Sequence, residues 1–301
     1  MILVTGTSGF IGKHLLSALI TQYGADNILA LTSVPTDMCP YILHENYRFK
    51  DDVFESTGFG GRIDTIILAG AFTPKSGQYA NDWRMCNGNI FTVDRLLHVT
   101  FPRLKKLVYL STLDVYDSSD LISEQSDIRP STLYGESKFY CERLVSYYAQ
   151  SMSLICHILR IGHVYGPGEE SYQKLIPATI DCLLRDQPIQ MWGDGSSRRA
   201  FIFIEDVIFA IMNSLAIDSS ISPINVVGGN SLSIREVVEK LITISKKNCT
   251  IQYLTQKQDN RNLAFDNSKM LTYLLKTETP IDLGLQKEWD YMKKSFDEHL
   301  F

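Results

Sequence analysis

The chain has 301 residues, 45% of them hydrophobic and 21% charged, with a formal net charge of -5. That length supplies ample core for one large α/β domain or for two lobes around a cleft. The acidic balance excludes a general electrostatic attraction to nucleic acid or to a membrane surface, while leaving room for a local basic pocket that holds a phosphorylated small molecule.

The first apolar run, Ile2–Thr5, reads as a buried strand, and Gly6-Thr7-Ser8-Gly9-Phe10-Ile11-Gly12 follows it directly, opening a helix over Phe10–Tyr23. Three glycines at this spacing do separate jobs. Gly6 permits a tight turn, Gly9 lets the backbone approach a pyrophosphate, and Gly12 allows close helix–strand packing, with helix N–H groups facing the phosphates. A glycine pattern alone is weak, but here strand, turn and helix stand in the required order. The motif therefore predicts binding of NAD or NADP.

A second strand is predicted over Ile28–Thr32. Its end, Leu31-Thr32-Ser33-Val34, carries neither the acid that binds ribose hydroxyls nor the base that accepts an extra phosphate, so it does not choose between NAD and NADP. Thr32 is nevertheless placed at the cofactor. A third strand is predicted over Tyr47–Lys50, and Asp52 after it reads either as a partner for the adenine amino group or as a carboxylate at a helix start. A fourth strand, Thr65–Ala69, leads into the small residues Ala69, Gly70 and Ala71, and helix Tyr79–Thr100 follows.

The fifth strand, Leu107–Ser111, ends in Leu110-Ser111-Thr112-Leu113-Asp114-Val115-Tyr116. A hydroxyl at the carboxyl end of a strand opens onto the ligand crevice, so Thr112 is a candidate to hold a substrate oxygen. Ser111 is placed at the cofactor, though Ser111 and Thr112 also suit a turn cap, and Tyr116 suits a core. Next, Tyr134-Gly-Glu-Ser-Lys138 lies at the start of a helix over Thr132–Gln150, where the i, i+4 spacing puts both side chains on one face. A free tyrosine titrates near pH ~10. A nearby lysine ammonium, together with the nicotinamide charge, stabilises the phenolate and brings it toward the working range.

A sixth strand, Leu154–Arg160, completes an alternation that predicts a Rossmann-type, doubly wound parallel sheet. After Gly166-Pro167-Gly168 the rhythm changes. A helix over Leu175–Arg185, a strand Ile189–Trp192, a Gly193-Asp194-Gly195 turn, a helix from Glu205, a strand Ile224–Val227 and a helix from Ser233 precede a less regular C-terminus. The expected division is a dinucleotide-binding domain over 1–165 and a smaller C-terminal substrate-binding lobe over 166–301, with some exchange of chain between them.

The six cysteines (Cys39, Cys86, Cys141, Cys156, Cys182 and Cys249) show no Cys-x-x-Cys pair and no His/Cys cluster at metal-ligand spacing, so no metal is expected and the thiols read as reduced. No apolar stretch approaches the ~20 residues of a membrane helix. The start, Met1-Ile-Leu-Val-Thr-Gly, lacks the basic character of a secretory signal. A cytoplasmic protein is the expectation, with no membrane partner.

Taken with Leu159-Arg160-Ile161-Gly162-His163-Val164-Tyr165-Gly166-Pro167-Gly168 and Trp192-Gly193-Asp194-Gly195-Ser196-Ser197-Arg198-Arg199, the glycine, threonine and tyrosine–lysine motifs resemble those of the extended short-chain dehydrogenase/reductases. More narrowly, they resemble the NAD-dependent epimerase/dehydratase family that acts on nucleotide sugars, over essentially the whole chain. The resemblance implies that Thr112, Tyr134 and Lys138 form a catalytic triad, that Lys138 also holds the nicotinamide ribose, and that Asn87 matches the family asparagine. Bland readings stand beside these: Asn87 also suits a polar support for its helix. Ala69, Gly70 and Ala71 match the segment beside the cofactor, and Arg199 the arginine that grips the diphosphate. In an extended segment Arg198 and Arg199 face opposite ways, so one of them reaches the ligand; the choice falls on Arg199, with a solvated surface arginine as the alternative.

Three departures matter. His163 stands where the family commonly has asparagine, and it is retained as a substrate contact. Ala200 replaces a common aspartate. Leu113 replaces the first of two acids that 4,6-dehydratases carry after the threonine, which makes dehydration an unfavoured reading. The expected function is a nucleotide-sugar 4-epimerase working through a 4-keto intermediate, with an NADPH-dependent 4-ketoreductase as the alternative. A noncatalytic NAD(P)-binding regulator ranks lower, because a pure binder has no use for the triad. The family's four-helix interface also implies a homodimer, with Cys86, Phe91, Phe139 and Tyr140 as its apolar surface.

Overall fold

The computed structural model describes residues 1–298 apart from 46–47, 51, 75–76, 118–120, 171, 173 and 256–262. Seven strands form one sheet: β1 (Ile2–Thr5), β2 (Ile28–Thr32), β3 (Tyr41–Leu43), β4 (Thr65–Leu68), β5 (Lys106–Thr112), β6 (Ile155–Ile161) and, from further along the chain, β10 (Ile224–Val226). Their order is β10-β6-β5-β4-β1-β2-β3, and every pairing is parallel. The remaining strands are β7 (His163–Tyr165), β8 (Ile189–Trp192), β9 (Arg198–Phe203), β11 (Ser231–Ser233) and β12 (Ile251–Leu254). They form a three-stranded sheet, β11-β9-β7, and a two-stranded one, β12-β8.

Alternation along the central strands explains the helices on both faces. Ile2, Val4, Ile67, Val108 and Leu110 point into one core, shared with α1 (Phe10–Tyr23), α5 (Leu175–Leu184), α6 (Ile204–Ser214), α7 (Ile234–Ser245), α8 (Ser268–Tyr273) and α9 (Ile281–Glu298). Leu3, Leu29, Ile66, Leu68 and Tyr109 point into the other, under α2 (Val53–Ser56), α3 (Trp83–Leu97) and α4 (Leu133–Ser151). Parallel strands buried on both faces are the reason the sequence reads as continuous apolar runs there. The sheet reverses its winding between β1 and β4, where a doubly wound sheet opens its crevice at the carboxyl ends of the strands. No helix among the described residues is long and apolar enough to cross a membrane.

Several predicted bounds move for identifiable reasons. Of the predicted strand Tyr47–Lys50, Tyr47 lies outside the described residues and Arg48 makes only an isolated bridge to Glu45. The third strand is instead Tyr41–Leu43, an edge strand in which Ile42 alone is buried, so it carries little apolar signal. Helix α3 begins later than expected because Asp82 caps it, accepting from Arg84 N and Met85 N at 3.0 and 3.2 Å. The C-terminus, expected to be irregular, contains the 18-residue α9, whose buried stripe of Gly284, Leu285, Glu288 and Trp289 is narrow and partly charged. Helix α7 starts with a reciprocal capping box between Ser233 and Glu236.

Candidate active site

A cavity of about 700 Å³ opens at the carboxyl ends of β1, β4, β5 and β6. Its wall begins with the turn after β1. Gly6 has φ +72°, and a side chain there would press a Cβ to 2.5 Å from Gly70 Cα. A Cβ on Gly12 would stand 1.9 Å from the Gly6 carbonyl oxygen, so this glycine lets α1 pack on the turn itself rather than on a strand. Gly9 is different: its Cβ would meet only the Gly6 oxygen, at 3.4 Å. Helix α1 carries no side-chain cap and no acid in its first turn, and Ser8 to Gly12 line the cavity. Uncapped N–H groups above glycine backbone suit a dinucleotide pyrophosphate. Opposite them lie Ala69, Gly70 and Ala71, held by Gly70 N donating to Thr5 Oγ1 at 2.8 Å.

Ser111, Thr112, Tyr134 and Lys138 line the same cavity. Thr112 ends β5, where its Oγ1 accepts from Asp114 N at 3.2 Å and donates to Asp114 Oδ2 at 3.4 Å. Tyr134 and Lys138 share the inner face of α4, whose start is set by Thr132 accepting from Gly135 N at 3.1 Å. Lys138 is buried, donates from Nζ to Leu110 O at 2.6 Å and sits 4.4 Å from the Tyr109 ring centroid. Burial pulls its ammonium down to about 8, against the opposing charge of Glu142.

The sequence expectation for the tyrosine counted on the nicotinamide charge as well as the lysine. Burial, reinforced by the Asp114 carboxylate, holds the Tyr134 phenol well above its ordinary range, while hydrogen bonding with Thr73 and Thr112 pulls in the other direction. The protein alone thus keeps Tyr134 a phenol.

At the far end Arg199 lines the cavity from β9, and its Nη1 donates to the Arg198 carbonyl at 2.8 Å. Arg198 points the other way, to Glu236 at 3.3 Å, as expected for adjacent residues of a strand. His163 also lines the cavity, packed edge-on against Phe201.

Four residues assigned from the sequence are not brought to the cavity. Thr7 turns inward and is buried. Thr32 is buried too, and its hydroxyl is committed to Val34, donating to the carbonyl at 3.0 Å. Asp52 is exposed beside the short α2, whose start it occupies without a side-chain cap. Asn87 is exposed, whereas Asn89 is buried, accepts from Phe72 N at 2.7 Å and donates to Ser137 Oγ at 3.2 Å. Two residues are about 200° apart around a helix, so the polar contact belongs to one asparagine or the other.

Sequence reading missed Thr73, Asp114, Glu169, Tyr172, Lys174 and Phe201 among the lining residues. Thr73 follows the small-residue segment by two positions, a usable signal; Glu169 carried none. Its carboxylate is buried, pairs with Lys174 at 3.2 Å and lies beside Glu288 of α9. Burial and the Glu169 charge push Glu288 up to about 10, which lowers the negative charge behind this wall.

Comparison with known proteins agrees with this geometry. The sequence profile of the "NAD dependent epimerase/dehydratase family" matches residues 2–227. The chain is 28% identical over 271 residues to a dTDP-D-glucose 4,6-dehydratase of Dictyostelium discoideum, an alignment covering 81% of this chain and 62% of that protein, so the chain spans less than two thirds of its length. Its structure resembles MoeE5 in complex with UDP-glucuronic acid and NAD (TM-score 0.85, 25% identity, 98% and 99% of the two chains). It also resembles the Bacillus cereus UDP-glucuronic acid 4-epimerase in complex with UDP-glucuronic acid and NAD (TM-score 0.82, 25% identity, 98% and 99%).

Proposed function

The chain belongs to the NAD dependent epimerase/dehydratase family, and from that premise we propose that it is an NAD(P)-dependent nucleotide-sugar 4-epimerase acting through a transient 4-keto intermediate. One observation carries the reading: Thr112, Tyr134 and Lys138 share a single cavity with the glycine turn at one end and Arg199 at the other. A cavity lined by both a glycine turn and an arginine supports a dinucleotide and a diphosphate sugar as its ligands.

In this reading Gly6, Ser8, Gly9, Phe10 and Ile11 hold the cofactor pyrophosphate, Ala69 to Ala71 flank it, and Tyr134 and Lys138 hold the nicotinamide ribose. When bound, the nicotinamide supplies the acceptor and donor of a hydride. Tyr134 exchanges the proton of the sugar C4 oxygen, and Thr112 steadies that oxygen. Lys138 supplies positive charge close to both, and Arg199 holds the diphosphate so that the sugar can present either face. Guanidinium geometry suits that grip.

Dehydration is the activity in the name of the Dictyostelium relative, and Leu113 argues against it here. Its side chain is buried in an apolar cluster with Val115, Tyr116, Ala200, Val227 and Phe265, and it neither gives nor takes a proton. The ketoreductase alternative draws on the end of β2, where no carboxylate is available for a ribose diol and Thr32 is committed to Val34. The deciding assay supplies UDP-glucose or UDP-glucuronic acid with NAD+. An epimerase interconverts two sugar nucleotides with no net change at the nicotinamide absorbance band. Stoichiometric consumption of NADPH with a 4-keto sugar nucleotide would instead establish the reductase.

We further propose a homodimer formed through α3 and α4. Trp83, Phe91, Tyr140 and Tyr147 stand exposed on these two helices, whereas Cys86 and Phe139, also considered from the sequence, pack toward the chain's own interior. Light scattering should report twice the 34.1 kDa chain mass; a mass that stays at one chain across concentration refutes the dimer.

A further inference from the structure

Helix α4 grips β5 at two consecutive residues. Lys138 donates to the Leu110 carbonyl at 2.6 Å, and one turn later Glu142 Oε1 accepts from Ser111 Oγ at 2.5 Å. The next residue is Thr112. Glu142 is 3% exposed and also holds Arg160 of β6 in a two-pronged ion pair, Nε to Oε1 at 3.0 Å and Nη2 to Oε2 at 2.8 Å. Arg160 is the sheet partner of Ser111. Its Nη1 donates to Tyr116 Oη at 2.5 Å, and Tyr116 donates onward to Asn225 Oδ1 of β10 at 2.8 Å. The segment carrying Thr112 and Asp114 is therefore anchored before and after, at Ser111 and Tyr116, by one buried carboxylate–guanidinium pair.

A buried ion pair is a weak device for stability, since well-packed apolar side chains of the same volume often do as well. A chain of linked buried hydrogen bonds does something else. Although Asn225 Nδ2 at its far end has no partner among the described residues, both carboxylate oxygens of Glu142 are engaged, and such links hold the strand end in one arrangement. We propose that Glu142 is a positioning residue of the site, fixing through Ser111 and Arg160 the carboxyl end of β5, and with it Thr112, against Tyr134 and Lys138. This rests on the reading of those three residues as the proton-handling set, and it assigns a role to Glu142 and Arg160, which do not line the cavity. Glu142 also supports the Lys138 charge, which is faced by Tyr109 from β5 and by Tyr134, Cys141 and Glu142 from α4.

Glu142→Gln is the first test, with UDP-glucuronic acid and NAD+ as assay probes and hydrogen exchange of the ligand-free protein as the second readout. Turnover should fall about tenfold or more with KM within about twofold, because positioning acts on the reacting geometry rather than on binding. The alkaline limb of the pH–rate profile should move below about 8, since a carboxylate that favoured the ammonium has gone. Amides of 110–116 should exchange faster than in the wild type. A folded Glu142→Gln with an unmoved limb and unchanged exchange overturns the proposal. If that variant fails to fold, Ser111→Ala decides, because it removes the link while leaving the buried Glu142–Arg160 pair intact: faster exchange over 110–116 with severalfold lower turnover supports the clamp, and no change in either refutes it. Tyr134→Phe separates the two readings. Should it retain full turnover, the assigned proton chemistry fails, while the exchange data still judge the clamp.

Discussion

Tyr134→Phe is expected to lower turnover by about three orders of magnitude while leaving folding and cofactor binding close to wild type. The variant keeps the ring, its edge-on packing against Phe72 and the burial of the whole side chain. What disappears is one hydroxyl, placed beside Thr73 and Thr112 in the cavity. Equilibrium binding of NAD+ followed by protein fluorescence, alongside steady-state turnover, checks both halves of the expectation. Retained turnover would remove Tyr134 from the proton step.

The same site predicts the wild-type pH dependence. Of the pair, the Tyr134 phenol is raised above its ordinary range, and Lys138 ionises nearer neutrality, at about 8. The direction that protonates a ketone oxygen should run evenly below that value and slow as pH rises through it. For stability the sign is opposite. The folded-state value lies below the ordinary 10.5, so burying the ammonium costs stability below about 8, and that cost is relieved between 8 and 10.5 as the unfolded chain becomes the one binding more protons.

Gly12→Ala should produce the largest loss of stability. In an ordinary helix interior, replacing glycine by alanine gains about 1 kcal/mol. Here the added Cβ would stand 1.9 Å from the Gly6 oxygen and 2.9 Å from Thr7 Cα, both backbone atoms that cannot swing aside. The sign reverses, and a destabilisation of roughly 3 kcal/mol or more is expected, at the upper end for a single substitution. Gly9→Ala supplies the contrast. Its Cβ has open space apart from the Gly6 oxygen at 3.4 Å, so the fold should survive while affinity for the dinucleotide falls. Denaturant unfolding of both variants, with NAD+ titration of the folded one, distinguishes a glycine needed for packing from one needed for backbone approach. Equal stability of Gly12→Ala and wild type would refute the packing role.

Much of this molecule follows from short stretches of sequence. The turn from Gly6 to Gly12 is legible because a strand, a positive-φ glycine and a helix start are neighbours in the chain, and each obeys local rules. The pairing of Tyr134 with Lys138 on one face of α4 is legible for the same reason: helical spacing alone places them together. That Arg198 and Arg199 face opposite ways followed from the alternation of an extended strand, while the choice of Arg199 came from the family resemblance; the β9 pairing that makes the segment extended was not readable.

What failed in the reading failed where a side chain's neighbours come from elsewhere in the chain. Asn87 and Asn89 are equally plausible in sequence. Phe72 and Ser137, from a loop and another helix, select Asn89. Two further placements are decided locally: Thr32 bonds back to Val34, and Asp52, at the start of α2, faces solvent. Strand β3 was misplaced because an edge strand buries one residue in three, and α9 was missed because its buried stripe contains Glu288.

The tyrosine–lysine pair shows the same division. Helical periodicity alone determined that the two residues share a face, and strand–turn–helix order determined that a dinucleotide site lies nearby. Tertiary structure decided that the protein's own groups raise the Tyr134 phenol above its ordinary range and lower Lys138 to about 8, because both depend on burial and on charges brought up from Asp114 and Glu142. Spacing along the chain sets which groups can meet. The charge each one carries is set by how much water and which ions the fold leaves around it.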